Sequence, residues 1–328
     1  MQMTMKDAIR NFQVKPGKKL RLKHHNPAWR GKDELGELSK GELKERAVGI
    51  LDKNVAELAA AQNLLAANDV YSVLIVLQAM DAAGKDGVIK HVMSGLNPQG
   101  CQVFSFKKPS DEDLDHNFLW RYSKALPERG RMGIFNRSYY EEVLIVRVHP
   151  EVLARQRLPQ GKRNDGFWGD RYDDIKRFEK HLTRNGTRIL KFFLNVSKEE
   201  QAKRFLERLD TPEKHWKFSE ADLHERKYWD KYQEAFEEML EGTSTKAAPW
   251  WVIPADNKWV TRAVVSSIIA NEIRSLGLQP PMLDEEGKKR LAEARRQLLA
   301  DMPGHGVPAK TPEKAGKKKA RSKPPVEA

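Results

Sequence analysis

Cysteine is almost missing from this chain. Cys101 is the only one in 328 residues, which excludes an intrachain disulfide and a zinc site built on cysteines alone, and suits a reducing compartment. Long apolar runs are missing too: no window approaches the roughly 20 apolar residues of a membrane span. The opening MQMTMKDAIRNFQ lacks the apolar core of a signal peptide. There is no internal repeat, no Cys/His cluster, no nucleophile elbow and no Rossmann glycine pattern. His91, His149, His181 and His215 lie without metal-ligand spacing and read as structural or exposed. These absences predict a soluble, cytoplasmic protein with no membrane partner.

Acidic residues are the minority. Lys plus Arg number 59 against 46 Asp plus Glu, a net charge of +13. A polyanion is the expected partner, whether nucleic acid, an acidic membrane surface or a phosphate-rich substrate. Residues 301–328 hold five prolines, seven basic and three acidic residues, and they predict a disordered basic tail because so little apolar surface cannot offset the chain entropy. Removing the tail's +4 leaves about +9 on the body, so the folded part is basic as well. The N-terminal arm, 1–34, carries Lys15, Lys18, Lys19, Arg21, Lys23 and Arg30, broken by Pro16, Gly17, Pro27 and Gly31. It reads either as an extension packed on the core by Leu20, Leu22 and Trp29 or as a set of cations lining an anion channel.

Between the tails, 35–300 reads as one domain with a long insertion. Apolar positions at helical steps predict a helix over 39–67. Residues 71–77 then form a short apolar run rich in β-branched side chains, the pattern of a strand buried on both faces. Four similar runs follow, at 102–106, 132–135, 188–196 and 250–254. Helical patterns fill the intervals at 114–125, 173–183, after a capping box at 197–200, and at 260–276, with a basic, loop-like insertion at 155–171. Such alternation predicts an α/β fold with a mostly parallel five-stranded sheet and right-handed crossovers.

In such a sheet, ligands bind beyond the carboxyl ends of the strands. The first strand is followed by Ala79-Met-Asp-Ala-Ala-Gly-Lys-Asp-Gly87 and a helical stretch. Small residues let a backbone fold round an anion at a helix N-terminus, and Lys85 would reach a bridging or terminal phosphate. The match to a Walker A loop is partial: Ala79 stands for its first glycine, and Asp86 for its Ser/Thr. The competing reading is an ordinary helix start with a solvated lysine. Asp81 weighs against it. A carboxylate inside a phosphate loop repels its ligand unless a divalent cation bridges them, so Asp81 reads as a metal ligand or a base.

The third strand ends in Asn136-Arg137-Ser138-Tyr139-Tyr140-Glu141, on the same sheet edge. Asn136 occupies the position of a Walker B aspartate and can offer a carbonyl to a metal or water. Arg137 suits a phosphoryl oxygen; otherwise it would pair with Glu141 or Glu142 in a capped turn. Arg204 and Arg208 share a helical face, and Lys214-His-Trp216-Lys217-Phe218 sets cations beside aromatics. Together they suggest a lid that brings arginines over phosphate and a ring near a base. The plainer reading is a surface helix with Trp216 in a satellite core.

Seven strings carry a resemblance: VLQAMDAAGKDG (76–87), HVMSGLNPQG (91–100), FLWRYSKALPERG (118–130), FNRSYYEEVL (135–144), RNGTRILKFFLNVSKEEQ (184–201), WKFS (216–219) and TSTKAAPWWVIPADNKW (243–259). In this order they resemble the polyphosphate kinase 2 family, over about residues 12–276. Asn136, in place of the aspartate common elsewhere in the family, resembles the branch accepting nucleoside mono- and diphosphates. Ala79 departs from the glycine usual in that branch, which a negative φ there would tolerate. The resemblance implies a P-loop kinase-like three-layer α/β/α fold with a helical lid. It implies Mg²⁺-dependent (alternatively Mn²⁺-dependent), reversible phosphoryl transfer between inorganic polyphosphate and nucleotides, AMP and ADP above all and guanine nucleotides besides, in a homo-oligomer. By position, Ala82, Ala83, Gly84, Lys85, Asp86 and Gly87 would hold the polyphosphate end. Asp81, with Asn136, would organise metal and the attacking phosphate, Asn136 and Arg137 would hold the acceptor's phosphates near that metal, and Glu141 would tune the acceptor site. Arg204, Arg208 and Lys217 would close over the transferring group from the lid.

Two other functions are weighed against this one. An ATP-dependent nucleotide kinase on the same fold would need a compact adenine pocket rather than an extended basic track. A non-enzymatic nucleic-acid binder would explain the charge but leave the polar clusters at two strand ends without a role.

Overall fold

The computed structural model describes residues 10–31 and 38–302. The outer parts of the arm, its junction with the body and the tail from residue 303 lie outside them. Five strands form one sheet: β1 (Ser72–Gln78), β2 (Cys101–Ser105), β3 (Met132–Asn136), β4 (Thr187–Asn195) and β5 (Trp250–Pro254). Their order is β2-β3-β1-β4-β5, and every pairing is parallel. All five predicted runs are strands. β1 is buried along its whole length, as a central strand covered on both faces must be.

The seven longer helices are α1 (Lys40–Asn68), α2 (Lys85–Val92), α3 (Phe167–Arg184), α4 (Lys198–Leu209), α5 (Trp229–Thr243), α6 (Lys258–Arg274) and α7 (Glu285–Asp301). α1 and α6 pack together, joined inside their interface by Asn54 donating to Ser266 and Ser267. α3 and α5 pack together on the other side, where Phe193 of β4 meets Phe236. The result is a three-layer α/β/α body. β1 connects toward β2 and β4 toward β5, in opposite directions along the sheet, so a crevice opens at the carboxyl ends of the central strands.

Local differences from the sequence reading have identifiable causes. The stretch 114–125 is two short helices, Asp111–Asp115 and Trp120–Ser123, because Asn117 accepts from Leu119 N in a tight turn between them. The insertion read as loop through Arg171 turns helical at Phe167, where Arg171 lies over the Phe118 and Phe167 rings and pairs with Glu142. The start of α4 is half a capping box. Ser197 Oγ accepts from Glu200 N, but Glu200 turns to Arg204 and Ser197 N donates instead to Asp256.

The arm packs by Phe12, Val14, Leu20 and Leu22, with Trp29 edge-on to Phe12. Gln13 bridges Trp251 in antiparallel fashion and Val14 N donates to Trp250 O, so the arm covers the open edge of β5. Lys15, Lys18, Lys19, Lys23 and Arg30 are exposed, and Arg21 pairs with Glu237. Contacts divide the chain into one compact unit reaching to Pro280 and a second from Pro281. In the second, α7 is capped by Asp284 accepting from Gly287 N.

Candidate active site

β1 delivers the chain into the loop 79–84, and α2 begins at Lys85. Gly84, at φ +113, precedes that helix without a side-chain cap, so the first N–H groups of α2 are left for a ligand. Ala82 takes φ +61, an expensive conformation for a residue with a Cβ. Ala79 is not among the positive-φ residues, so its methyl is accommodated where a Walker A loop has glycine. Lys85 is not a solvated lysine. Its Nζ is buried and donates to Ala79 O at 3.0 Å and Met80 O at 3.5 Å. Burial pushes its pKa down, aided by Arg137 and opposed by Asp81, Glu141 and Asp86; those four groups are its electrostatic neighbours.

β3 places the second cluster alongside. Leu77 is in register with Asn136, and Arg137 N extends the ladder to Leu77 O at 3.1 Å. Asn136 Nδ2 donates to Asp86 Oδ1 at 2.8 Å, which leaves its carbonyl oxygen available. Arg137, at φ +64, sends its guanidinium to Asp81 Oδ1 at 2.8 Å. It pairs with neither Glu141 nor Glu142: Glu141 accepts from Gln78, and Glu142 is taken by Gln156 and Arg171. Burial works against the Arg137 charge, but Glu141 and Asp81 outweigh it and hold the guanidinium pKa above its ordinary value. The fold thus brings Asp81, Lys85, Asp86, Asn136, Arg137 and Glu141 to one sheet edge.

The lid residues divide. Arg204 does not hang over the loop; it lies beneath it as a brace. Its guanidinium donates to the carbonyls of Ala82, Ala83, Ala255 and Asp256, and its Nε to Glu200. With its donors spent on protein and its side chain buried, it fixes the loop rather than reaching a nucleotide. Arg208 is placed as a lid residue would be, 3.5 Å from Asp222. Lys217 turns its side chain over the exposed Trp216 ring and meets the site only through its carbonyl, which accepts from Arg208 at 3.2 Å.

Sequence reasoning missed Asp222. Burial raises its pKa, and Asp81 raises it further against Arg208, Arg137 and Lys85, so the loop's charges are among its electrostatic neighbours. It also missed Gln201, whose amide donates to Asp81 O at 2.9 Å. The acidic residue three positions after Ser219 was the only trace of Asp222 in the sequence.

From Arg137 and Glu141 a cleft of about 940 Å³ runs outward, walled by Phe106, Phe118, Tyr122 and Phe178 and by Arg121, Arg155 and Arg177. Arg121 lies over the Phe106 and Tyr122 rings, and its buried Nε has no partner. Aromatic faces suit a planar base, and the cations suit its phosphates.

No group of three or more His, Cys, Asp or Glu side chains among the described residues is arranged to hold a metal ion. The side chains around the loop are nevertheless oxygen donors: Asp81, Asp86, Asp222 and the Asn136 carbonyl. That set fits a hard cation such as Mg²⁺, which binds through one or two carboxylates plus substrate phosphates and keeps its own water.

A model of the polyphosphate kinase 2 family matches residues 42–279. Over 259 residues the chain is 54% identical to an ADP-polyphosphate phosphotransferase of Rhodopseudomonas palustris, covering 79% of this chain and 90% of that one. An AMP/ADP-polyphosphate phosphotransferase of Meiothermus ruber is 41% identical over 286 residues, 87% of this chain and all of the other. The crystal structure of polyphosphate kinase 2 from Arthrobacter aurescens superposes with a TM-score of 0.77 at 37% identity, covering 90% of this chain and 97% of that one.

Proposed function

The chain belongs to the polyphosphate kinase 2 family, and from that premise we propose how its two strand ends divide the reaction. It is a phosphotransferase that moves phosphoryl groups between inorganic polyphosphate and adenine nucleotides. We assign the polymer end to residues 82–87 with Lys85, the acceptor phosphates to Asn136 and Arg137, and the tuning of the acceptor site to Glu141. The nucleoside takes the aromatic cleft walled by Phe106, Phe118, Tyr122 and Phe178. The observation that carries this reading is the 2.8 Å contact of Arg137 with Asp81, which joins the two clusters and so supports a donor and an acceptor phosphate meeting between them.

In the transfer, a phosphate oxygen of AMP or ADP attacks the terminal phosphorus of the polymer. A new P–O anhydride bond forms as the polymer's terminal anhydride breaks, and the shortened polymer leaves with the bond's electron pair. One anhydride replaces another, so the step is chemically reversible. The protein's part is to position and to cancel charge. Lys85 neutralises the bridging oxygens, Arg137 swings from Asp81 to the acceptor phosphate, and Arg208 closes from the lid. Mg²⁺, or Mn²⁺, would be held by Asp81 and Asn136 with Asp86 or Asp222 near, and supplies charge neutralisation on the phosphates. Asn136 in place of a carboxylate supports acceptance of both AMP and ADP, and guanine nucleotides fit the same aromatic walls.

We further assign a homo-oligomeric state and a cytoplasmic location. No helix among the described residues is long and apolar enough to cross a membrane, and a single cysteine suits a reducing compartment. The test is a panel of AMP, ADP, GMP and GDP with Mg²⁺ and long-chain polyphosphate, read by chromatography with no ATP added. AMP converted to ADP and then ATP supports the reading. Product from ADP alone removes the monophosphate assignment, and product only when ATP is the donor would replace polyphosphate by ATP.

A further inference from the structure

Behind the acceptor cluster lies an ionic network that the transfer itself does not use. Lys191 of β4 and Glu179 of α3 are fully buried and 2.7 Å apart. Lys191 Nζ also donates to the Tyr140 hydroxyl and to Thr243 O, both at 2.9 Å. The Tyr139 and Tyr140 hydroxyls both donate to Glu179 Oε1, at 2.9 and 2.7 Å. Every lysine proton and both carboxylate oxygens are engaged, so the network is satisfied although it is out of water.

A buried pair of this kind is a poor source of stability. Desolvation consumes most of the attraction, and apolar residues of equal volume often do as well or better. Burial lowers the Lys191 pKa, with Glu179 opposing it, which shows the cost of keeping the charge there. What the network supplies is direction. Tyr139 and Tyr140 sit between Arg137 and Glu141 in the turn Tyr139–Val143. Arg137 in that segment holds φ +64, and such a conformation persists only where the surroundings over-determine it. On the near side Ser138 Oγ meets Gln78 and Tyr140 N. On the far side the two hydroxyls are tied to Glu179.

We propose that Glu179, held by Lys191, is a positioning residue for the acceptor site: through the Tyr139 and Tyr140 hydroxyls it fixes the turn that aims Arg137 and Glu141. This rests on the acceptor role assigned to those two residues above. The effect belongs to the nucleotide side of the reaction, because the loop that leads into α2 is braced separately, by Arg204 at the carbonyls of Ala82 and Ala83.

The test is the double variant Tyr139→Phe/Tyr140→Phe, which keeps both rings, and with them the packing on Phe178 and Trp250, while removing the two hydroxyls. The expected result is a rise of about tenfold in KM for AMP and ADP, with KM for polyphosphate unchanged. Unchanged KM for both substrates, with activity falling only in step with the folded fraction, overturns the proposal. Should the double variant fail to fold, Tyr140→Phe alone is read by the same split. Arg137→Ala is measured beside it. If Arg137→Ala raises nucleotide KM and the tyrosine variant does not, the positioning role alone falls. If Arg137→Ala leaves nucleotide KM unchanged, the acceptor assignment falls and the positioning role with it.

Discussion

Lys85 is a buried cation at the mouth of a phosphate-type loop. Its ammonium is buried against Ala79 O and Met80 O, and burial holds its pKa below the ordinary 10.5. Between that lowered value and 10.5 the unfolded chain binds more protons than the folded one, so this group's contribution to stability improves as pH rises through that window. Below that lowered value the full cost of burying the charge is present. Lys85→Met removes that cost but leaves Ala79 O without its donor, so its thermal midpoint at pH 7 should stay close to that of the wild type, while turnover falls by about 10³-fold through loss of charge neutralisation. Calorimetry and a coupled assay on one preparation check both halves. The sequence reading reached Lys85, Asp81 and Arg137 because short loops after buried runs announce themselves. It did not reach Asp222 or Gln201, which come from the helices Glu220–Glu225 and α4, well over a hundred residues after Asp81, and whose approach depends on how those helices pack back on the loop.

Elements decide what a spacing rule cannot. Arg204 and Arg208 lie four residues apart on α4, so helical periodicity puts them on one face, yet it does not say what that face meets. Arg204 meets four backbone carbonyls and Arg208 meets Asp222. Arg204→Met should leave buried carbonyls unpaired and lower stability by about 3 kcal/mol, measured by urea unfolding, with the greater functional loss on polyphosphate because Ala82 loses its brace. Equal stability of the variant would contradict the brace. The strands were legible for a plain reason: five apolar runs separated by helical intervals admit few arrangements. The break near His116 and the early start of α3 were not, since one is made by the Asn117 side chain and the other by Arg171 reaching residues distant in sequence.

For the molecule as a whole, the net charge of +13 acts at longer range than any single contact. A longer polymer engages more cations at once, so transfer from long chains should fall more steeply with added salt than transfer from short donors. Initial rates across a salt series for two chain lengths measure the two slopes; parallel slopes would confine the polymer to the loop itself. The arm was legible in its apolar contacts, while its part in closing the β5 edge depends on a strand pairing that no local pattern reveals. The proposed division of labour between two adjacent strand ends is open to titration calorimetry. Polyphosphate and AMP are titrated separately into the wild type and into Lys85→Met. The variant should bind polyphosphate at least about tenfold more weakly and AMP unchanged; weakened AMP binding with polyphosphate binding intact would contradict the division.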